Sequence, residues 1–231
     1  MINNLKVLAL IPARGGSKGI KDKNIYDING KPLIAYSIIA AQNSKYVDDV
    51  VITTDSEKIK EVAESFGANV PFLRPAELAS DNSKTIDAVV HAANTLKELG
   101  RDYDILLLLQ PTCPLRTTED IDNSLELFVY KGCVALVSVN KVKEHPILMR
   151  KINEDGMMDN LLNLPSTIRR QDMPPIYKVN GSIYINLVKE LRNDTSLNDN
   201  PLAYITDDEH SVDIDDLDDI ERVKNILRKN V

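Results

Sequence analysis

Cysteine is scarce in this chain, and its scarcity limits the kinds of site that the sequence can build. The two cysteines, Cys113 and Cys133, are too few for a disulfide framework. Their separation also lacks the spacing of a cysteine-based metal site. The sequence therefore predicts a protein of a reducing compartment.

Positive charge is in deficit as well, with 28 Lys and Arg against 35 Asp and Glu and a formal net charge of -7. General nucleic-acid binders and membrane-surface binders need a basic face, so the balance argues against both classes. No apolar run approaches the ~20 residues of a membrane span, and the first residues show no signal-peptide pattern. We expect a cytoplasmic protein with no nucleic-acid or membrane partner.

Helical and extended patterns alternate along the 231 residues, which suffice for one large α/β domain. Residues 105–109, five consecutive Ile and Leu, predict a fully buried central strand. The other predicted strands span residues 5–11, 50–53, 70–73, 134–139, 182–186 and 201–205, and the predicted helices span 32–43, 56–66, 85–99, 118–130 and 217–227. This order predicts a mostly parallel sheet in a three-layer α/β fold.

Residues 141–178 break the alternation. They are polar, weakly periodic and contain four prolines, which is typical of an insertion rather than of a further sheet element. We expect this insertion to act as a dimerisation arm or as a lid over the substrate, within a single domain spanning 1–231.

The loop at residues 11–24 follows the first predicted strand and contains four cations and three glycines. Ligands bind at the carboxyl edge of open α/β sheets, where Arg14, Lys18 and Lys23 would project. Glycines let backbone N–H groups approach an anion closely while the cations neutralise it. The spacing matches neither a Walker loop nor a dinucleotide fingerprint, and the plain alternative is a solvated basic turn. The loop predicts phosphate binding.

Residues 207–221 contain nine acids and no Lys or Arg. Asp213 and Asp215 are two residues apart, so in an extended segment they share a face. Two carboxylates that converge with substrate phosphates suit Mg²⁺, although these acids could instead cap the last helix. A cationic loop together with such a pair predicts a nucleoside triphosphate ligand.

Six blocks occur in one order along nearly the whole chain: residues 11–19, 23–24, 74–79, 110–116, 180–185 and 211–215. Together they resemble the acylneuraminate cytidylyltransferases, the CMP-sialic acid synthetases. The resemblance implies transfer of CMP from CTP to the anomeric hydroxyl of a nine-carbon keto-sugar acid, with Mg²⁺ and with release of pyrophosphate. It also implies a Rossmann-like nucleotidyltransferase fold and a homodimer.

The resemblance implies a role for individual residues. The nucleotide would be held by Ala13, Arg14, Gly15, Gly16, Ser17, Lys23, Asn24 and Arg74. The sugar acid would be bound by Gln110, Arg170, Asn180 and Tyr184. The metal would be held by Asp213 and Asp215, which form the catalytic set together with Arg14 and Lys23. Tyr184 could equally be a core residue, and Arg74 before Pro75 could be part of a surface turn.

The sugar end departs from the family pattern. Sialic-acid-specific bacterial members tend to carry adjacent aromatics after the Asn-Gly strand and a cation in the dimer arm, whereas this chain has Leu197, Leu202 and Leu148 nearby. A less hydroxylated acceptor, such as legionaminic or pseudaminic acid, would suit a more apolar pocket.

Two other functions stay open. One is a sugar-1-phosphate nucleotidyltransferase, although that class usually places a Gly-Asp metal ligand after the central strand, where this chain has Gln110-Pro111. The other is a non-catalytic nucleotide sensor.

Overall fold

The computed structural model describes residues 1–17, 19–162, 164, 167 and 169–229, and for Arg170 the backbone alone. The strands are β1 Val7–Pro12, β2 Asp27–Ile28, β3 Lys31–Pro32, β4 Asp49–Thr53, β5 Ile105–Leu109, β6 Leu136–Lys141, β7 Arg150–Ile152, β8 Met158–Asn160, β9 Tyr177–Leu187 and β10 Leu202–Ile205. The α-helices are α1 Leu33–Gln42, α2 Glu57–Ser65, α3 Thr85–Glu98, α4 Thr118–Tyr130 and α5 Leu217–Lys229. None of the helices in these ranges is long and apolar enough to cross a membrane.

The central sheet has six strands in the order β10-β6-β9-β5-β1-β4. β9 runs antiparallel to both of its neighbours, and the other pairings are parallel. The prediction of a mostly parallel sheet is therefore confirmed.

Both faces of the sheet are covered, as the continuous apolar strands require. Alternate residues of β1 enter opposite cores: Val7, Ala9 and Ile11 pack with α1, α2 and α4, while Leu8 and Leu10 pack with α3. These two cores give the predicted three layers. A third apolar cluster joins α5 to the segment before α1.

Local signals set several helix boundaries. The Ser56 side chain accepts the Ile59 amide at the start of α2, and Thr117 and Asp120 form a reciprocal capping box at the start of α4. The carboxyl ends of β1, β4, β5 and β6 point to one edge of the sheet, so the loops that follow them meet there.

Two sequence predictions need correction. Residues 70–73 form no strand, and an isolated bridge between Val51 and Asn69 stands in its place. The physical reason is Pro71, which cannot donate to a sheet ladder. The segment 141–178 contains the β7–β8 hairpin and also begins β9, which is longer than predicted.

Candidate active site

Two adjoining clefts open at the carboxyl edge of the sheet. The first has a volume of about 470 Å³ and lies between the loop after β1, the start of α3 and the turn after β5. The second, about 790 Å³, lies between β6, β9 and the acidic segment before α5. Gln110 and Asp215 line both clefts. A ligand in one cleft would therefore meet a ligand in the other at these two residues.

Four cations line the first cleft, Arg14, Lys23, Arg74 and Lys84, against two acids, Asp81 and Asp215. Arg14 Nη1 donates to the Asp81 carboxylate at 2.9 Å and to the Ser80 carbonyl at 3.2 Å. This contact ties the loop after β1 to the segment that precedes α3.

Lys23 connects the basic loop to the acidic segment. Its Nζ donates to the Ile214 carbonyl and lies 3.6 Å from Asp215 Oδ1. Gly19 approaches the same segment, since a Cβ at this position would lie 3.0 Å from the Asp215 carbonyl oxygen. The structure thus brings together two segments from opposite ends of the chain.

Arg74 is buried in the wall of the first cleft, at 6% exposure. Burial lowers the pKa of its guanidinium, and the charge of Asp55, whose Oδ1 lies 3.8 Å from Nη2, partly offsets that effect. Nε of Arg74 makes no hydrogen bond to a described residue. A buried donor without a partner is costly, so stability alone does not account for this arginine, whose charge lies in the wall of the first cleft.

The remaining predicted nucleotide residues divide into two groups. Ser17 and Asn24 line the first cleft, and Asn24 Nδ2 donates to the Arg14 carbonyl at 2.9 Å. Ala13, Gly15 and Gly16 do not line it among the described residues. Ala13 is fully buried in the core, and the Gly15 amide donates to Asp55 Oδ1 at 2.9 Å.

Asp213 and Asp215 both line the second cleft and are exposed to solvent on that side. Desolvation by the cleft wall raises the pKa of Asp213, and the charge of Asp215 raises it further, whereas a hydrogen bond with Thr112 lowers it. The Ile214 amide donates to the Thr112 carbonyl at 2.8 Å, which fixes the segment between the two carboxylates.

The donor set of this segment fits a hard divalent cation. Asp213 and Asp215 supply carboxylate oxygens, which Mg²⁺ prefers, and Mg²⁺ usually takes its remaining ligands from water and substrate phosphates. Within the described ranges, no three His, Cys, Asp or Glu side chains form a complete metal site. The arrangement therefore suits a cation that arrives with a phosphate ligand.

Cys113 lies beneath the acidic pair, with Sγ 3.9 Å from Asp213 Oδ1, and is fully buried. Burial raises the pKa of this thiol to about 12, so it stays protonated at neutral pH. It is therefore a small buried residue rather than a nucleophile.

Three predicted sugar residues line the second cleft: Gln110, Asn180 and Tyr184. The Asn180 amide is engaged by the framework, because Oδ1 accepts from Ser138 at 2.6 Å and Nδ2 donates to Thr206 at 2.8 Å. Tyr184 is both a core residue and a cleft residue.

The Tyr184 ring packs in the core on the α3 side of the sheet, and its hydroxyl donates to Asn198 Oδ1 at 2.8 Å. Burial raises the pKa of Tyr184 to about 12, so the hydroxyl remains a donor at neutral pH.

The leucines that suggested an apolar acceptor pocket lie elsewhere. Leu197 and Leu202 pack into the two cores, Leu148 is 56% exposed, and none of the three lines the second cleft. The side chain of Arg170, predicted to close over the sugar, and the whole of Lys18 lie outside the described residues.

Sequence reasoning missed two residues that hold the site together. Asp55 contacts both Gly15 and Arg74. It lies two residues after β4, at the carboxyl edge of the sheet, and that position could have identified it from the sequence. Arg116 falls inside a block used for the resemblance, yet no role was drawn from it. It is almost completely buried, and burial lowers the pKa of its guanidinium to about 10.

Comparison with known proteins identifies the family of this chain. A family model described as cytidylyltransferase matches residues 8–228. The CMP-N,N'-diacetyllegionaminic acid synthase of Legionella pneumophila is 37% identical over 91% of each chain. The pseudaminic acid cytidylyltransferase of Campylobacter jejuni is 33% identical over 98% of each. The N-acylneuraminate cytidylyltransferase of Escherichia coli is 35% identical over 97% of this chain, which spans 52% of that protein.

Solved structures show the fold. A CMP:2-keto-3-deoxy-manno-octonic acid synthetase complexed with CTP has a TM-score of 0.74 at 18% identity, over 98% of this chain and 100% of that one. The 4-diphosphocytidyl-2C-methyl-D-erythritol synthase of Anaerococcus prevotii has a TM-score of 0.67 at 14% identity, over 97% and 99%. With the family model covering nearly its whole length, the chain belongs to the cytidylyltransferase family and is a nucleotidyltransferase, as the sequence predicted.

Proposed function

We propose that this enzyme transfers CMP from CTP to the anomeric hydroxyl of a nine-carbon keto-sugar acid and releases pyrophosphate. The acceptor is sialic acid or a legionaminic or pseudaminic relative. Relatives at 33–37% identity carry the names of enzymes for acids of this class.

The observation that carries this proposal is the junction of the two clefts at Gln110 and Asp215. A nucleotide in the cationic first cleft and a sugar acid in the second would present the α-phosphate and the hydroxyl to each other there. Holding two reactants side by side removes much of the entropic barrier to their reaction.

The first cleft supplies the charge that transfer requires. CTP brings about four negative charges, which repel an approaching hydroxyl unless cations neutralise them. Arg14 and Lys23 are the cations assigned to the triphosphate. The Lys23 ammonium has three donors, of which Ile214 takes one and Asp215 faces another, so a donor remains for a phosphate oxygen.

Mg²⁺ is the proposed cofactor, with Asp213 and Asp215 as its protein ligands. When bound, the ion lowers the pKa of an attached hydroxyl and stabilises the charge that develops on the leaving pyrophosphate. The protein's part is to hold both carboxylates in the second cleft, with Asp215 at its junction with the first, through the Ile214 contacts with Thr112 and Lys23.

A pyrophosphate-release assay tests the function directly. The enzyme is incubated with CTP, Mg²⁺ and, separately, N-acetylneuraminic, legionaminic and pseudaminic acid, with a sugar 1-phosphate as the competing acceptor class. We expect release with at least one keto acid and a CMP-sugar product by mass. Release with the sugar 1-phosphate alone would support that alternative class, and CTP binding without turnover would support a sensor.

The active form is a homodimer in this proposal, with 141–178 as its contact arm. The β7–β8 hairpin and its flanks expose Ile152 at 75%, Met157 at 66%, Met158 at 72% and Leu164 at 54%. Large apolar side chains exposed within one short segment are typical of an interface. Both cysteines are free thiols, which suits the cytoplasm as the site of action.

A further inference from the structure

Arg116 is a buried cation beside the cleft junction and is 3% exposed. Its guanidinium holds three separate elements. Nη1 donates to the Ser182 carbonyl on β9 at 2.7 Å, and Nη2 donates to Ser37 Oγ on α1 at 2.6 Å. A longer contact of 3.4 Å joins Nη1 to the Gln110 carbonyl in the turn after β5.

The hydrogen-bond partners of Arg116 among the described residues are neutral. The charge of Asp120 acts on the guanidinium without a direct ion pair between them, and Nε makes no hydrogen bond to a described residue. Removing a charge from water is costly, and a hydrophobic side chain of similar volume often stabilises a core as well or better. A contribution to stability therefore does not explain why an arginine occupies position 116.

The contacts of Arg116 and Ser37 meet at the Gln110 carbonyl. The Ser37 hydroxyl also lies within 3.4 Å of the Gln110 carbonyl, so α1, Arg116 and this turn form one network. Gln110 lines both clefts, and a displacement of its backbone would move the wall between the two proposed substrates.

We propose that Arg116 is a positioning residue for the transfer reaction, fixing the Gln110 backbone between α1 and β9 so that the Gln110 side chain lies at the junction of the clefts. This inference rests on the proposed function. Lysine retains the charge but lacks the planar fork that reaches several acceptors at once.

The test is a double-mutant cycle between Arg116→Lys and Gln110→Ala, measured by pyrophosphate release with separate titrations of CTP and acceptor. We expect Arg116→Lys to lower kcat/KM for the acceptor about tenfold or more in the wild-type background. In the Gln110→Ala background the same change should cost less than about threefold, because the group through which it acts is gone. Arg228→Lys, an exposed arginine of α5, is the matched control and should leave turnover unchanged.

Ser37→Ala is the second variant, because it removes the Nη2 acceptor while retaining a good helix former in α1. It leaves Nη2 without its acceptor, so the melting temperature should fall modestly. It should also lower kcat/KM for the acceptor, and that kinetic loss, unlike the loss of stability, should shrink in the Gln110→Ala background. This variant decides the question if Arg116→Lys does not fold.

Two outcomes would overturn the positioning role while the wild-type enzyme still turns over. One is that the losses of kcat/KM multiply in the double variants, and the other is that both single variants keep wild-type kinetics. A wild-type enzyme that releases no pyrophosphate with any acid would overturn the proposed function and this inference together.

Discussion

Lys23 Nζ lies 3.6 Å from Asp215 Oδ1, although the two residues come from opposite ends of the chain. The lysine side chain is 15% exposed, whereas the aspartate is 84% exposed. An ion pair with so exposed a partner contributes little stability. Its importance is geometric, since it places a cation and a carboxylate at the boundary between the two clefts.

Replacing Lys23 or Asp213 by alanine should abolish most transfer, by about 10²–10³-fold in kcat, because each group would act on charge that develops in the transition state. The two variants should differ in metal dependence. Asp213→Ala should raise the Mg²⁺ concentration needed for half-maximal rate, and Lys23→Ala should not. Steady-state rates across a Mg²⁺ titration give both readouts.

Lys21→Ala and Asp218→Ala are the matched controls for this pair. Both residues are exposed, lie close in sequence to the residues tested and line neither cleft. Near-normal turnover in Lys23→Ala or Asp213→Ala would contradict the assigned roles, provided that melting curves show folded protein.

The periodicity of apolar residues was sufficient to predict most of the helices and strands of the sheet and its flanking layers. Residues 105–109 and 118–130 form β5 and α4 with the predicted bounds, because an unbroken apolar run and a capping box leave few alternatives. The β2–β3 hairpin was missed although its turn, Asn29-Gly30, has the left-handed φ values, 51° and 85°, that such dipeptides supply.

The site was predictable in part. The rule that ligands gather at the carboxyl edge, together with the resemblance, selected Lys23 and Asp215 for one site, and the structure places them together. The contact of Arg14 with Asp81 joins loops that are distant in sequence, so no local pattern encodes it. The same holds for the junction at Gln110, which depends on how β9 is inserted beside β5.

Gly181→Ala should weaken acceptor binding. Gly181 has φ +73°, and an added Cβ would lie 2.8 Å from Gln110 Oε1, so the glutamine side chain must move. We expect a higher acceptor KM together with about 1–2 kcal/mol of lost stability from the left-handed backbone. Steady-state kinetics and denaturant unfolding measure the two effects.

Gly132→Ala separates these effects, because Gly132 has the same φ of +73° with nothing within 4 Å of an added Cβ. It should lose similar stability and retain its acceptor KM. An equal rise of KM in both variants would show that strain, rather than the Gln110 contact, is responsible.

Asp81→Asn should increase the affinity for CTP. The Asp81 carboxylate accepts a hydrogen bond from Arg14 at 2.9 Å and places a negative charge beside the first cleft. A polyanion must compete with it for the guanidinium. Because partly exposed ion pairs are worth about 0.2–1 kcal/mol, the CTP KM should fall by up to about fivefold.

Asp102→Asn removes the same charge from a site that borders neither cleft, so it shows what the net charge alone contributes. A CTP KM that is unchanged or higher in Asp81→Asn, relative to Asp102→Asn, would contradict competition for Arg14.

Charges on the β7–β8 hairpin should separate the proposed dimer. Ile152 and Met158 face each other across the two strands and are 75% and 72% exposed, so aspartate at either position costs little in the isolated chain. Buried between two copies, an unpaired carboxylate is strongly unfavourable. Sedimentation velocity should therefore show a dimer for the wild type and a monomer for Ile152→Asp or Met158→Asp.

Leu99→Asp is the control. It introduces the same charge at a 54% exposed position after α3 and should remain dimeric. A wild-type chain that sediments as a monomer at micromolar concentration would contradict the proposed dimer.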